Sequence, residues 1–206
     1  MTSSLSDDLN YIRDLAEAGQ SAPLLGGRFL ALWGGLVTLA YIGHYIALTG
    51  QFGATPVLFA IVWASFLVVG IFAQVLMVKT FPADKPGASS IGNRVEGVVW
   101  GAGGFALSAY FGTVIVKSVI SGQPDPGFEW SLPLVFAVYS IGLLTSGVLA
   151  NNRVLTIAGY GSLAMIALAA WFVGTAEIWL VGALAGFATF FVPGILMMRQ
   201  EPKSVV

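Results

Sequence analysis

Cysteine is absent from all 206 residues, which excludes disulfides, thiol catalysis, cysteine-ligated zinc and iron–sulfur clusters. Histidine occurs once, at position 44. A single imidazole cannot supply both axial ligands of a bis-histidine haem, and no carboxylate stands at metal-ligand spacing from it. No cofactor is expected. Charge is equally scarce: 9% of the residues are Asp, Glu, Lys or Arg, against about a quarter in a soluble domain. The formal net charge of −1 gives no electrostatic basis for a nucleic-acid partner. Paired carboxylates, a nucleophile elbow, a zinc-protease helix and a phosphate-cradling glycine loop are missing too. The glycines between Gly101 and Gly104 follow no strand, so a dinucleotide site fails on context. The chain reads as a non-enzyme.

What is abundant is apolar surface. Hydrophobic residues make up 57% of the chain and the mean hydropathy is +0.86, so most of the molecule faces lipid. Six apolar runs, near 28–48, 56–79, 96–118, 132–150, 154–173 and 177–198, each have the length that crosses a bilayer. Their ends carry turn chemistry. Thr55 and Pro56 start the second run, and Ser131 is expected to cap the fourth with Pro133 in its first turn. Asn151 and Asn152 tolerate left-handed backbone, as does Gly174 ahead of Thr175. These short turns make spans four, five and six antiparallel neighbours. Pro193, inside the sixth run, leaves the Thr189 carbonyl without its helical donor and predicts a kink.

The predicted fold is therefore an all-α integral membrane protein of six transmembrane helices over residues 28–198. A short amphipathic N-terminal helix lies within residues 1–27, and 199–206 form a short tail. In the N-terminal segment Ser6 caps, Asp7 and Asp8 favour the first turn, Gly19 closes, and Leu5, Leu9, Ile12 and Ala16 line one face. Asp7, Asp8, Asp14 and Glu17 outweigh Arg13 to leave a net charge of −3, a sign that suits docking on protein better than on anionic headgroups. Asp7 and Asp8 also stand where a secretory signal carries Lys or Arg, so no cleaved signal is expected.

Orientation follows from the bases. With the N-terminus inside, Arg13, Arg28, Lys79, Lys85, Arg94, Arg153, Arg199 and Lys203 fall on the cytoplasmic side and Lys117 alone falls outside. Both termini are then cytoplasmic, in a bacterial inner membrane. Tyr41, Tyr45, Trp130, Trp171 and Trp179 gather at the far interface as an aromatic belt. The two three-span halves have opposite topology, with no residue-level repeat between them.

Polar groups inside spans are costly and mark where function can reside: His44, Gln74, Glu96, Tyr110, Lys117, Tyr139, Thr145 and Ser146. The candidate binding residues are Glu96, Lys117, Tyr110, Gln74 and His44. Glu96, Trp100, Gly103, Leu107, Tyr110, Val114 and Lys117 recur at steps of three and four, so they share one face of the third span. Its charged ends stand roughly 31 Å apart, about one hydrocarbon thickness. Glu96 and Lys117 are either end anchors or the mouths of a polar path with Tyr110 between them. Gln74 is expected to hydrogen-bond Glu96 or a hydroxyl, and His44 to hydrogen-bond at the interface.

Beside that face runs a second stripe, Gly97, Gly101, Gly104, Ser108 and Gly112. With Gly182 and Gly186 it offers small residues four apart, which let helices approach closely within the chain, against a homo-oligomer or against a protein partner. The six-span layout and length resemble those of the acetate/succinate transporters and the amide/urea channels. Ala22, Pro23 and Leu24 are similar to part of the Asn-Pro-Ala-Pro-Leu-Gly segment of the acetate family, with Gln20 and Ser21 in place of its Asn-Pro. The resemblance implies a small-solute channel or transporter; no functional residue is carried over. The alternative is an accessory or regulatory subunit that docks a partner through its N-terminal helix.

Overall fold

The computed structural model describes residues 8–10, 24–53, 57–80, 90–123 and 125–200. Six helices dominate: α1 (Gly27–Thr49), α2 (Val57–Thr80), α3 (Ile91–Ser121), α4 (Gly127–Leu149), α5 (Arg153–Trp171) and α6 (Glu177–Gln200). All six are long and apolar enough to span a membrane. The N-terminal amphipathic pattern, the Thr55–Pro56 start and the tail beyond residue 200 lie outside the described residues, apart from a helical Asp8–Asn10.

Helix ends follow the chemistry of their flanks. Gly50, Gly122 and Gly174 take positive φ, and Asn151 does so at φ 47 in the turn between α4 and α5. Asn152 then caps α5, its Oδ1 accepting from the Val154 and Leu155 amides. Ser90 caps α3 by accepting the Asn93 amide at 3.2 Å, so α3 begins five residues ahead of its apolar run and carries Glu96 in its second turn. Ser131 does not cap α4. The helix starts at Gly127, whose amide is held by Asp125 Oδ1 at 2.8 Å, and Ser131 is buried with its hydroxyl on the Phe128 carbonyl. The helix start at Gly127 places Pro133 beyond the first turn.

The helices contact one another in the order α2–α1–α6–α5–α4–α3, with α4 also against α6. Trp33 Nε1 donates to Gln74 Oε1 and Asn152 Nδ2 to Gln200 Oε1, start to end of antiparallel neighbours, while Leu25 N–H donates to Asn93 Oδ1 between the starts of α1 and α3; together these gather Arg28, Lys79, Arg94, Arg153 and Arg199 at one end. We call this the basic face. Lys117 lies at the opposite face.

Glycine sets the tightest seam. A Cβ on Gly34 would overlap the Phe191 amide, one on Gly194 the Ala31 amide, and one on Gly182 would lie 2.7 Å from Tyr41 Cδ2. α1 and α6 therefore meet nearly backbone to backbone, gaining dispersion contacts without a hydrophobic driving force from lipid. Gly182 and Gly186 are consumed inside the chain here and are not a face for another copy. Where a kink is predicted at Pro193, α6 forms a π turn over Phe187–Phe191, with Val192 N–H on the Phe187 carbonyl.

Burial is uneven. In α6 56% and in α4 44% of the spanning window is enclosed, against 6% in each of α2 and α3. These two outer helices share no extended contact, so the bundle is an incomplete ring open between them.

Candidate functional site

The seven-residue face of α3 packs where periodicity puts it, against α4 and its approach. Trp100 covers Gly142, where a Cβ would stand 2.6 Å from the indole; Gly103 meets Val138; Val114 meets Gly127. The charged and polar members each find a local partner. Tyr110 donates to the Gly127 carbonyl at 2.8 Å. Lys117 pairs with Asp125 at 2.6 Å. Both bonds tie α3 to the start of α4 at the opposite face.

Glu96 is handled differently. Its side chain is 5% exposed, and Ser146 of α4 donates its hydroxyl to Glu96 Oε1 at 2.9 Å. Trp100 Nε1 donates to the same Ser146 oxygen at 3.2 Å, which orients the hydroxyl proton toward the carboxylate. Gly26, just ahead of α1, is the wall of this site: a Cβ there would stand 3.0 Å from both carboxylate oxygens. The positive end of α1 thereby faces the acid. Among the described residues no cation lies within ion-pair distance of Glu96, and its Oε2 has no hydrogen-bond partner.

The other candidates are dispersed. Gln74 accepts from the Trp33 indole at 2.7 Å and not from Glu96 or a hydroxyl, because α2 lacks an extended contact with α3. His44 Nδ1 accepts from Trp63 Nε1 at 3.0 Å, so its proton sits on Nε2 when neutral, and its ring stacks on Trp179 with centroids 3.6 Å apart. The aromatic belt divides in two. Trp130 and Trp171 are exposed, whereas Tyr41 and Trp179 are buried and join His44 and Trp63 in a plug of rings.

Tyr110 and Lys117 thus each find a local partner at the opposite face, away from Glu96. Ser146 and Tyr139, which the sequence places among the polar groups inside spans but not among the candidate binding residues, stand here on α4. They lie seven residues apart on α4, hence on one face, and that spacing was the available signal. No group of three metal-ligating side chains occurs among the described residues. No protein family, curated protein or solved structure matches the chain.

Proposed function

We propose that this multi-pass α-helical membrane protein binds and passes a small solute, with its basic face on the cytoplasmic side and Glu96 as the binding residue. The reading is carried by one observation: a buried carboxylate enclosed by α3, α4 and the approach to α1, with one oxygen held by Ser146. An ionisable group at such a position is functional by default in a bilayer. A carboxylate selects against anions and for a cation or a strong hydrogen-bond donor, so the substrate class is a proton, a small amine or an amide. The polar path runs from Glu96 along the seam of α3 and α4.

The test is flux in proteoliposomes across amines, amides and carboxylates. Glu96→Gln is expected to cut flux of the donor solutes about tenfold or more, the worth of a hydrogen bond to a charged group, while Lys117→Ala leaves it within twofold of wild type, about 0.4 kcal/mol. Equal flux in wild type and Glu96→Gln over the whole panel overturns the reading.

A second reading is favoured by a different observation. Cβ atoms added to Gly97, Gly101, Gly104 or Gly112 would meet nothing within 4 Å, so this face of α3 is bare of protein. An accessory subunit whose α3 packs against a transmembrane helix of a larger complex accounts for it.

A further inference from the structure

Gly26 needs an explanation that its own backbone does not give. It stands just ahead of α1 at φ −74 and ψ −7, a right-handed conformation open to every L-amino acid. Its carbonyl accepts the Phe29 and Leu30 amides, yet it offers the helix no capping side chain, where Ser, Thr, Asp or Asn would supply one. Neither conformation nor capping calls for glycine. What does is Glu96: the three atoms nearest an added Cβ are its two carboxylate oxygens, at 3.0 Å each, and its Cδ at 3.1 Å.

Those distances locate the contact. Equal separation from the oxygens puts the Cβ position on the plane that bisects the carboxylate, and the longer distance to Cδ puts it on the oxygen side, over the fork where a donor meets both oxygens. Glycine places only a hydrogen there. The carboxylate is not free to swing aside, because Ser146 holds Oε1 at 2.9 Å and the Trp100 indole fixes that hydroxyl at 3.2 Å. Gly26 is itself only half-buried, so the enclosed carboxylate, 5% exposed, lies one residue below the protein surface on this side.

We infer that Gly26 is a specificity-determining residue, which keeps the carboxylate fork of Glu96 clear for a small ammonium ion bearing at most a short alkyl group. This rests on Glu96 as the binding residue and narrows what it binds. A proton needs no clearance, so a wall trimmed to hydrogen points to a ligand with heavy atoms. Among the described residues no cation lies within ion-pair distance of Glu96, and an enclosed carboxylate is balanced best by a ligand that brings positive charge. That favours an amine over an amide. The ammonium donates to Oε2 and to the lone pair that Ser146 leaves on Oε1, and any side chain at position 26 competes with its alkyl group.

Transport into proteoliposomes by the full-length protein tests this. The probes are ammonium and methylammonium at about pH 6, where both are protonated as a lysine amine is, with the rates of protein-free vesicles subtracted. Gly26→Ala is expected to lower the ratio of methylammonium to ammonium transport about tenfold, the discrimination that one methyl group gives at a close-fitting wall. Gly92→Ala, at the same end of the bundle, adds a Cβ that meets Leu24 Cδ2 at an ordinary 3.4 Å and is expected to keep the wild-type ratio. A glycine that merely lets α1 approach α3 would lower both rates together, so an unchanged ratio in Gly26→Ala overturns the inference. Should Gly26→Ala fail to fold, wild type decides by size: methylammonium is expected to pass at least about ten times faster than tert-butylammonium, and equal rates overturn the inference. If amide flux depends on Glu96 while neither ammonium ion passes, the proposed function stands and this inference falls.

Discussion

Asp125 and Glu96 are both tied to α3, yet they serve opposite ends of the physics of charge. Asp125 sits in the turn between α3 and α4, where the Lys117 ammonium and then the Gly127 amide hold its carboxyl below the ordinary value of 3.8. A folded value below the unfolded one means the pair's contribution is present above the unfolded value and is lost as pH falls through the folded one. Asp125→Asn is therefore expected to flatten the acid limb of a melting-temperature profile in detergent and to leave the limb above pH 6 parallel to wild type, a shape that differential scanning fluorimetry resolves. Because Lys117 is largely exposed, the loss at neutral pH is small. At this scale the sequence was half legible. The spacing of Glu96, Tyr110 and Lys117 placed them on one face of α3 before any coordinates. What spacing could not supply was Ser146, fifty residues away on another helix, or the burial of Tyr41 behind Trp179. Those depend on how helices rotate against one another, which is set by packing.

Glycine divides the helices into two kinds. On α1 and α6 it buys contact, and a methyl group there collides with backbone that cannot move aside. Gly194→Ala and Gly34→Ala are expected to lower the melting temperature in detergent, at a cost of about 1–3 kcal/mol each as for overpacked cores. On α3 the same substitution has room. Gly101→Ala and Gly104→Ala are expected to leave the melting temperature unchanged or slightly raised, since Ala is the better helix former by about 1 kcal/mol in water. A thermal-shift series over these four positions separates the two kinds, and equal destabilisation at all four contradicts the packing described here. The four-residue spacing alone could not sort them, because Gly97 with Gly101 and Gly182 with Gly186 look alike in sequence. Element lengths and order, by contrast, were readable from hydropathy, with two exceptions. Ser90 and Asp125 move the starts of α3 and α4 outward from the apolar runs, since a cap is chosen by its hydrogen bond and not by hydropathy.

The whole molecule is a ring with one side left open, α2 and α3 standing as its two edges. Exposed Val98 and Phe105 flank the glycine stripe on α3, and Leu67, Val68 and Phe72 line α2, so lipid or protein reaches into the opening. If the accessory reading holds, bulk on the stripe blocks assembly without touching the fold. Gly101→Leu combined with Gly104→Leu is then expected to keep the wild-type melting temperature while losing, in affinity purification from native membranes, the proteins that wild type retains. Identical co-purifying proteins in both samples would remove that reading and leave solute passage unaffected.

The wide turn at Phe187–Phe191 has an effect beyond its own five residues. In an unbroken α-helix, residues four apart drift about 40° per step, so Gly182, Gly186, Phe190 and Gly194 would wind about 120° around the cylinder and the last would miss its target. One extra residue in a single turn takes back about 100° of that. The four positions consequently stay in register with Tyr41, Val37, Gly34 and Ala31 in turn. Alignment along the full height of the seam is thus stored as one additional residue, and the same arithmetic means that deleting any single residue between 187 and 191 would swing Gly194 and Met197 away from α1 together.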